Sequence, residues 1–426
     1  MYILFGKTKI RREAMQGNTI RSLIKTPGFK ITRIVKSVGQ LDIYVEPYKR
    51  LKAVCSGCGK THERGFHGCN ETLAEDVRLG EEKVFLHIMR RRYRCPVDGR
   101  IHIESINWIE KGARVTRAFS EYITRLTAIS TNKEAGWYLG LDDEKVYRID
   151  KACLQRQFEK YLSPPPALTN GSVDEVSYRK YHRYLTNVID VDLKKVVWNA
   201  KGRKKEVLNQ YYEGIGKKNC ESIETMAMDG AQTYISSTEQ YATKALIVYD
   251  RFHATQKINN AIDAVRKNEL KEARKRDDKK LIDYINCKRR FILLKRKDRL
   301  TQKQAITLTE LCELNEPIYK GLLLKEQFLA VYQCGNIEAA KNHLRNWFEE
   351  ALGSGIDVFV SLAEKLLRKV QFILNWFKKR ISSAISEGIN NKIKRLKRMA
   401  YGYRDIDYFR LKIHQHCGLL NPRNAI

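Results

Sequence analysis

Three acidic residues stand out by type and setting: Asp174 in GSVDEVSYRKYHRYLTNVIDVD, Asp229 in IETMAMDGAQTY and Glu387 in SAISEGINNKIKRLKRMAYGYRDIDYF. The first two sit at the ends of strand-like runs. The third sits in a helical stretch crowded with Lys and Arg. Carboxylates are the natural holders of hard Mg²⁺ or Mn²⁺, which takes oxygen ligands. Two such ions about 4 Å apart activate an attacking oxygen and stabilise the leaving one when a phosphodiester is displaced in line. Glu387, Asn390, Asn391, Lys394 and Arg398 fall at offsets of three, four, seven and eleven, so one helix face is expected to carry all five. That face is expected to hold metal through Glu387 and to grip DNA phosphates through the other four. Singly, each signal is weak. An Asp after a strand is ordinarily a turn or cap residue, and a basic helix is ordinarily a solvated face. Glu175 and Asp250 compete locally; Asp250, in YDRFH with His253, reads as the cap of the next helix.

A second set of residues has metal-ligand spacing. Cys55 and Cys58 form a tight CxxC, and Cys95 follows some forty residues on in a stretch that alternates like a hairpin. That layout is a zinc ribbon. Asp98 stands where a second Cys or His is expected, with His102 beyond it; His62, His67 and Cys69 are other candidates. The expected zinc ligands are Cys55, Cys58 and Cys95, with Asp98 or His102 as the fourth. The bland alternative is a metal-free hairpin with reduced thiols. Most of the ten cysteines are scattered and read as buried apolar residues.

The elements that must position these residues follow from periodicity. ITRIVKSVGQLDIYVEPYKR reads as a strand pair turning near Gly39. Residues 114–160 are helical. Within them TNKEAGWYLGLDDEKVYRIDKACLQRQF reads as helix, turn at Gly140, and a second helix capped by Asp142 or Asp143. This is a helix-turn-helix pattern, with Lys145, Arg148 and Lys151 as its expected DNA contacts. Ser163-Pro164-Pro165-Pro166 marks a linker. Beyond it come three strands, a helix, a strand, a helix and a strand, the ribonuclease-H-like order. In that topology the first and fourth strands are parallel neighbours, which sets Asp174 beside Asp229. From about Arg251 to Arg380 the pattern is helical, with breaks near Pro317 and Gly335. Trp347, Phe348, Phe372, Trp376 and Phe377 read as its core rather than as base-stacking platforms. No internal repeat is visible.

The bulk properties agree. At 426 residues, several domains are expected. Lys and Arg number 80 against 49 Asp and Glu, a formal net charge of +31. Such an excess points to a polyanionic partner, here double-stranded DNA. No apolar run nears the ~20 residues of a spanning helix, so no membrane role is expected. The start, MYILFGKTKIRRE, lacks the apolar region of a signal peptide. The expected location is therefore cytoplasmic, beside the nucleoid.

The chain resembles the DDE-type bacterial insertion-sequence transposases of the ISL-three family over nearly its full length. CSGCG and RRYRCP, the run VDE-S-RK-HRYLTNVIDVD, MAMD, IVYDRFHATQKINNAIDAVR and EGINNKIKRLKRMAYGYRDIDYFRLKI carry the resemblance. It implies a zinc-binding region, a helix-turn-helix and a catalytic domain with a helical insertion. It also implies Asp174, Asp229 and Glu387 as the catalytic triad. One departure is Asp98, where the family usually has Cys or His. The expected fold is multidomain α+β. The expected divisions are an N-terminal β region with a zinc-ribbon-like unit over 1–110 and a helix-turn-helix over 111–162. A ribonuclease-H-like core over 163–255, a helical insertion over 256–375 and the core's terminal helix and tail over 376–426 complete them. The expected activity is binding of terminal inverted repeats, metal-dependent cleavage and strand transfer, by a homodimer or higher assembly on DNA. The alternatives are a DNA-binding regulator with a non-catalytic sheet, and a resolvase-like or guide-dependent nuclease.

Overall fold

The computed structural model describes residues 23–179, 183–285, 290–381 and 384–421; the opening MYILFGKTKIRRE and Cys287 lie outside them. The fold is mixed α+β, with two mixed sheets and many helices. The described residues form two compact units. One runs up to Tyr161 and takes in Asp405–His416; the other spans Leu162–Arg404 with Cys417–Leu419. No helix among them is long and apolar enough to cross a membrane.

The first unit opens with β1 (Phe29–Ser37) and β2 (Gln40–Pro47), an antiparallel pair turned at Gly39. The long strands β3 (Phe66–Leu79) and β4 (Glu82–Arg94) pair antiparallel, and β5 (Ile101–Ile103) adds to β4. The order is β1-β2-β4-β3, with β2 and β4 parallel. Alternation decides the buried face: Leu41, Ile43 and Val45 of β2 and Val84, Leu86 and Ile88 of β4 point into one core. Three helices follow: α1 (Arg117–Thr127), α2 (Asn132–Leu139) and α3 (Asp143–Tyr161). Their ends are local chemistry. Thr116 caps α1, Thr131 and Glu134 form a capping box on α2, and Gly140 ends α2 in the left-handed region at φ 57°. Asp142 accepts from the backbone N–H of Glu144 and Lys145, so it caps α3.

The second unit holds β6 (Asn170–Arg179), β7 (Arg183–Asp190), β8 (Lys195–Lys201), β9 (Thr225–Met228) and β10 (Leu246–Tyr249). Their order is β10-β9-β6-β7-β8. β6 to β8 form an antiparallel meander, while β9 joins β6, and β10 joins β9, in parallel. The connections are α4 (Lys205–Ile215), the short α5 (Lys217–Glu221) and α6 (Gln232–Tyr241). Val173, Val188, Val197, Leu208, Tyr212, Met226 and Ile235 pack between sheet and helices.

After β10 the chain is helical, from α7 (Arg251–Lys275) through α8 (Lys279–Ile285), α9 (Arg290–Leu294), α10 (Gln302–Leu314) and α11 (Glu316–Val331). It continues through α12 (Ile337–Gly353), α13 (Asp357–Leu367) and α14 (Val370–Asn375). Trp347, Phe348 and Trp376 are buried in their common core, and Phe372 and Phe377 pack against it. Asn375 of α14 donates to the Ile247 carbonyl of β10 at 2.8 Å, tying these helices to the sheet edge. Then come α15 (Ala384–Met399), still in this unit, and α16 (Ile406–Cys417). Through its residues up to His416, α16 belongs with the first unit. There Lys412 donates to the Thr127 carbonyl at 2.9 Å and to Asp150 at 3.2 Å, and Gln415 donates to the Thr124 carbonyl at 2.6 Å.

Candidate active site and metal centre

Strand register builds the acid site. β6 and β9 pair with Asn170 opposite Thr225 and Ser172 opposite Ala227. The parallel pairing stops there, and Asp174 and Asp229 each lie two residues beyond its last pair. β10 pairs with β9 with Tyr249 opposite Met228, and the Asp250 N–H donates to the Met228 carbonyl at 2.8 Å. Asp174, expected at a strand end, lies midway along β6 because that strand runs on to Arg179, while Asp229 and Asp250 directly follow the last residues of β9 and β10. Gly230 lets the chain turn away after Asp229: its φ is +78°, and a Cβ there would lie 2.3 Å from the Tyr249 ring.

α15 lies along β6. Ser386 Oγ meets Ser172 Oγ at 2.8 Å, the Asn390 amide donates to Asp174 Oδ2, and Lys397 Nζ donates to the Ser177 carbonyl at 3.2 Å. Glu387, in the first turn of α15, is exposed and lies one turn before Asn390. Asn391, Lys394 and Arg398 are exposed as well. Asn390, expected to face DNA with them, is buried and bonded to Asp174 instead. Its amide oxygen is buried without a hydrogen-bond partner among the described residues.

The carboxylates act on their neighbours. His253, one turn into α7, has Nε2 3.8 Å from Asp174 and 3.9 Å from Asp250. Burial opposes its protonation, but Asp174, Asp250 and Asp229 raise its pKa above the usual imidazole value. Glu175 is also raised, by burial and then by the charge of Asp229. Asp250 caps α7 by accepting from the Phe252 N–H at 2.8 Å, as its position after a strand suggests. Lys257 Nζ approaches the Asp229 carbonyl at 3.4 Å and the Tyr249 hydroxyl at 2.5 Å. The sequence reading missed Lys257, although Asp250, His253 and Lys257, at offsets of three and seven, recur on one face of α7. Clustered carboxylates with an unpartnered amide oxygen suit a hard divalent cation. Asp174, Asp229 and Glu387 are not all gathered to chelating distance; among the described residues one group of three or more potential ligands lies within 4.8 Å, and it is elsewhere.

That group is Cys55, Cys58, His62 and Cys95. Two matching turns make it. In the first, the Gly59 N–H donates to the Cys55 carbonyl at 3.0 Å; in the second, the Gly99 N–H donates to the Cys95 carbonyl at 2.8 Å. Both glycines have positive φ, 74° and 69°. Burial raises the Cys55 thiol, but the N–H groups of Cys58 and Gly57, with His62 and Cys58 side chains, bring it down to about 6. Three sulfurs and an imidazole are a donor set that fits tetrahedral zinc. The fourth member of the group is His62, one of the other candidates; Asp98 and His102 are not in it. Those two are turned to each other at 2.7 Å, and Asp98 also accepts from the Arg100 N–H at 3.0 Å. The local sequence signal for His62, named among the candidates, is the Cys-x₂-Cys-x₃-His run from Cys55 to His62.

On α3, two of the three expected DNA contacts are in ion pairs. Lys145 Nζ lies 2.9 Å from Glu75 and Lys151 Nζ lies 2.5 Å from Asp405. Arg148 is exposed.

Residues 172–413 match the family model described as transposase, that of the DDE enzymes of the ISL-three group. The chain belongs to the ISL-three family of DDE transposases. It is 30% identical over 375 residues to the transposase for insertion sequence element IS1001 of Bordetella parapertussis, covering 88% of this chain and 90% of that one. It is 26% identical over 378 residues to the transposase for insertion sequence element IS1557 of Mycobacterium tuberculosis, covering 84% of each. This ISL-three transposase is therefore an enzyme of DNA cleavage and strand transfer, its partner is DNA, and the family implies a divalent metal at its catalytic site. The matched span takes in the three aspartates and α15 but not the Cys/His group.

Proposed function

We propose that this transposase binds the terminal inverted repeats of its own element, cuts there, and joins the freed 3′ hydroxyls to target DNA. Asp174, Asp229 and Glu387 are the acids that hold Mg²⁺ or Mn²⁺, on a ribonuclease-H-like sheet. The bound metal supplies activation of the attacking oxygen and stabilisation of the leaving one. The chain's residues do the rest. Asp174 and Asp229 set the spacing of the site from adjacent parallel strands. Asn390 is a positioning residue that couples the helix of Glu387 to Asp174. Asn391, Lys394 and Arg398 offer neutral and cationic donors to phosphates beside the acids, and Arg148 does so on the helix-turn-helix. Zinc held by Cys55, Cys58, His62 and Cys95 stiffens the ribbon that joins the helix-turn-helix in recognising ends. Synapsis of two ends calls for a homodimer or larger assembly.

The observation that carries this reading is that Asp174 and Asp229 each lie two residues past the last pair of the parallel β6–β9 ladder, with Glu387 one turn from the residue bonded to Asp174. The test is cleavage of a labelled fragment carrying the element's end, with Mg²⁺ or Mn²⁺, by wild type and Asp229→Ala. Wild type is expected to nick it. Asp229→Ala is expected to bind equally and to cut at least ~1000-fold more slowly, about 4 kcal/mol on the barrier. Equal binding with no cleavage by either, on paired ends and with both metals, would leave the sheet as a scaffold. Metal analysis tests the ribbon. Purified wild type should carry one zinc per chain. Cys58→Ser and His62→Ala should lose it, while Asp98→Ala and His102→Ala keep it; loss in Asp98→Ala would restore aspartate as a ligand.

A further inference from the structure

A cavity of about 480 Å³ opens in the second unit beside the turn that carries Asp229. Lys257, Lys365, Arg368 and Lys369 line it, with Tyr249 and a single carboxylate, Glu239. Among the described residues none of the four cations is in an ion pair. Two of them rest on the turn itself. Lys257 Nζ approaches the Asp229 carbonyl, and Lys369 Nζ donates to the carbonyl of Gly230. Lys257 is half-buried, and Lys365 and Lys369 line the same cavity. Like charges converging in a partly desolvated cleft are costly until an anion joins them. Bracing the turn explains Lys257 and Lys369. It does not explain Lys365 and Arg368, which are exposed and line the same cavity.

We propose that this cavity seats a phosphate group of the DNA strand that enters the acid site. Lys257 and Lys369 meet it at the floor, and Lys365 and Arg368 meet it at the rim. The seat lies against the backbone of Asp229 and Gly230, so a strand held there is anchored next to the residue proposed to hold metal. Glu239 disfavours a second anion at the same place. The proposal rests on the transposase reading and adds a contact that the three acids do not provide.

The test is the salt dependence of binding to a labelled duplex carrying the element's end, for wild type and Lys365→Gln/Arg368→Gln. Each phosphate neutralised contributes about 0.9 to the slope of log affinity against log salt, so the double variant, losing the one seated phosphate, should lower it by about 0.9. Lys279→Gln/Lys280→Gln, at exposed positions of α8, should keep the wild-type slope. A second arm titrates inorganic pyrophosphate without DNA and reads the melting temperature. An unchanged slope, with pyrophosphate raising the melting temperature of wild type but not of Lys365→Gln/Arg368→Gln, would reassign the seat to a free phosphate compound. An unchanged slope with no pyrophosphate response would overturn it. Cleavage in the same samples keeps the two readings apart. Wild type that cuts while the variant matches its slope removes the seat alone; wild type that binds and never cuts removes the transposase reading and the proposal with it.

Discussion

The buried acids of the first unit and the acid site of the second treat their charges in opposite ways. In the first, buried or partly buried acids meet cations: Glu75 with Lys145 at 2.9 Å, Glu104 with Arg91 at 2.8 Å, Glu110 with Arg156 at 3.0 Å and Asp150 with Lys412 at 3.2 Å. At the acid site of the second unit, Asp174 and Asp250 share one imidazole, and the nearby cavity gathers cations of one sign. The histidines follow suit. His416 is pushed down to about 4, first by burial and then by Lys412, whereas carboxylates hold His253 up. A charge withdrawn from water needs a partner. These acids of the first unit have their partners in the chain, as Asp263 of the second has in Arg266 and Lys267. At the acid site and the cavity beside it, the proposed partners come from outside, metal at the acids and phosphate at the lysines.

That contrast is most open to attack through stability. Asp150 is fully buried and accepts from Tyr408 at 2.6 Å as well as from Lys412. Asp150→Ala leaves a buried ammonium uncompensated, so it should cost about 3 to 5 kcal/mol in denaturant unfolding of the first unit. Asp229→Ala removes a repelling charge at the acid site, so the melting temperature of the metal-free protein should hold or rise. Equal destabilisation by the two substitutions would break the contrast.

A smaller effect follows from pH. The ordinary imidazole pKa is near 6.5, and His416 in the fold is at about 4. Between those values the unfolded chain binds more protons, so stability rises with pH. The contribution is present above about pH 6.5 and is lost as pH falls toward 4, on the order of 3 kcal/mol in all. Denaturation of wild type and His416→Gln across that window measures it. The variant should show a shallower pH dependence; matching slopes would place the acid sensitivity on another group.

Much of this arrangement is legible in sequence because it is local. Thr116, Thr131, Gly140 and Asp142 announce helix ends through their own chemistry. Asp174 and Asp229 become candidates because the strands carrying them are read from short apolar runs, and parallel pairing then makes those strands neighbours. What escaped is decided at long range. Both Asp98 and His62 stand near cysteine turns, and only the folded chain shows that Asp98 is taken by the Arg100 N–H and His102. Asn390 and Asn391 are adjacent on one helix. A period of 3.6 does not say which of them crosses into the buried side to reach Asp174. Nor does periodicity reveal that α16, beyond the helix of Glu387, completes the first unit through Lys412 and Gln415.

The smallest expected effect bears on Asp250, which stands at the acid site yet has a structural task. Its carboxylate accepts the Phe252 N–H at the start of α7. Losing an N-cap side chain costs about 1 kcal/mol, and Asn caps as well as Asp. Asp250→Ala should therefore lower the stability of the second unit by about 1 kcal/mol, while Asp250→Asn should leave it unchanged. If capping is its whole task, Asp250→Asn also keeps wild-type cleavage. Loss of cleavage in Asp250→Asn at unchanged stability would add Asp250 to the acids that hold metal. The acid site would then be still less able to satisfy its charges without a ligand, and its contrast with the buried acids of the first unit would deepen.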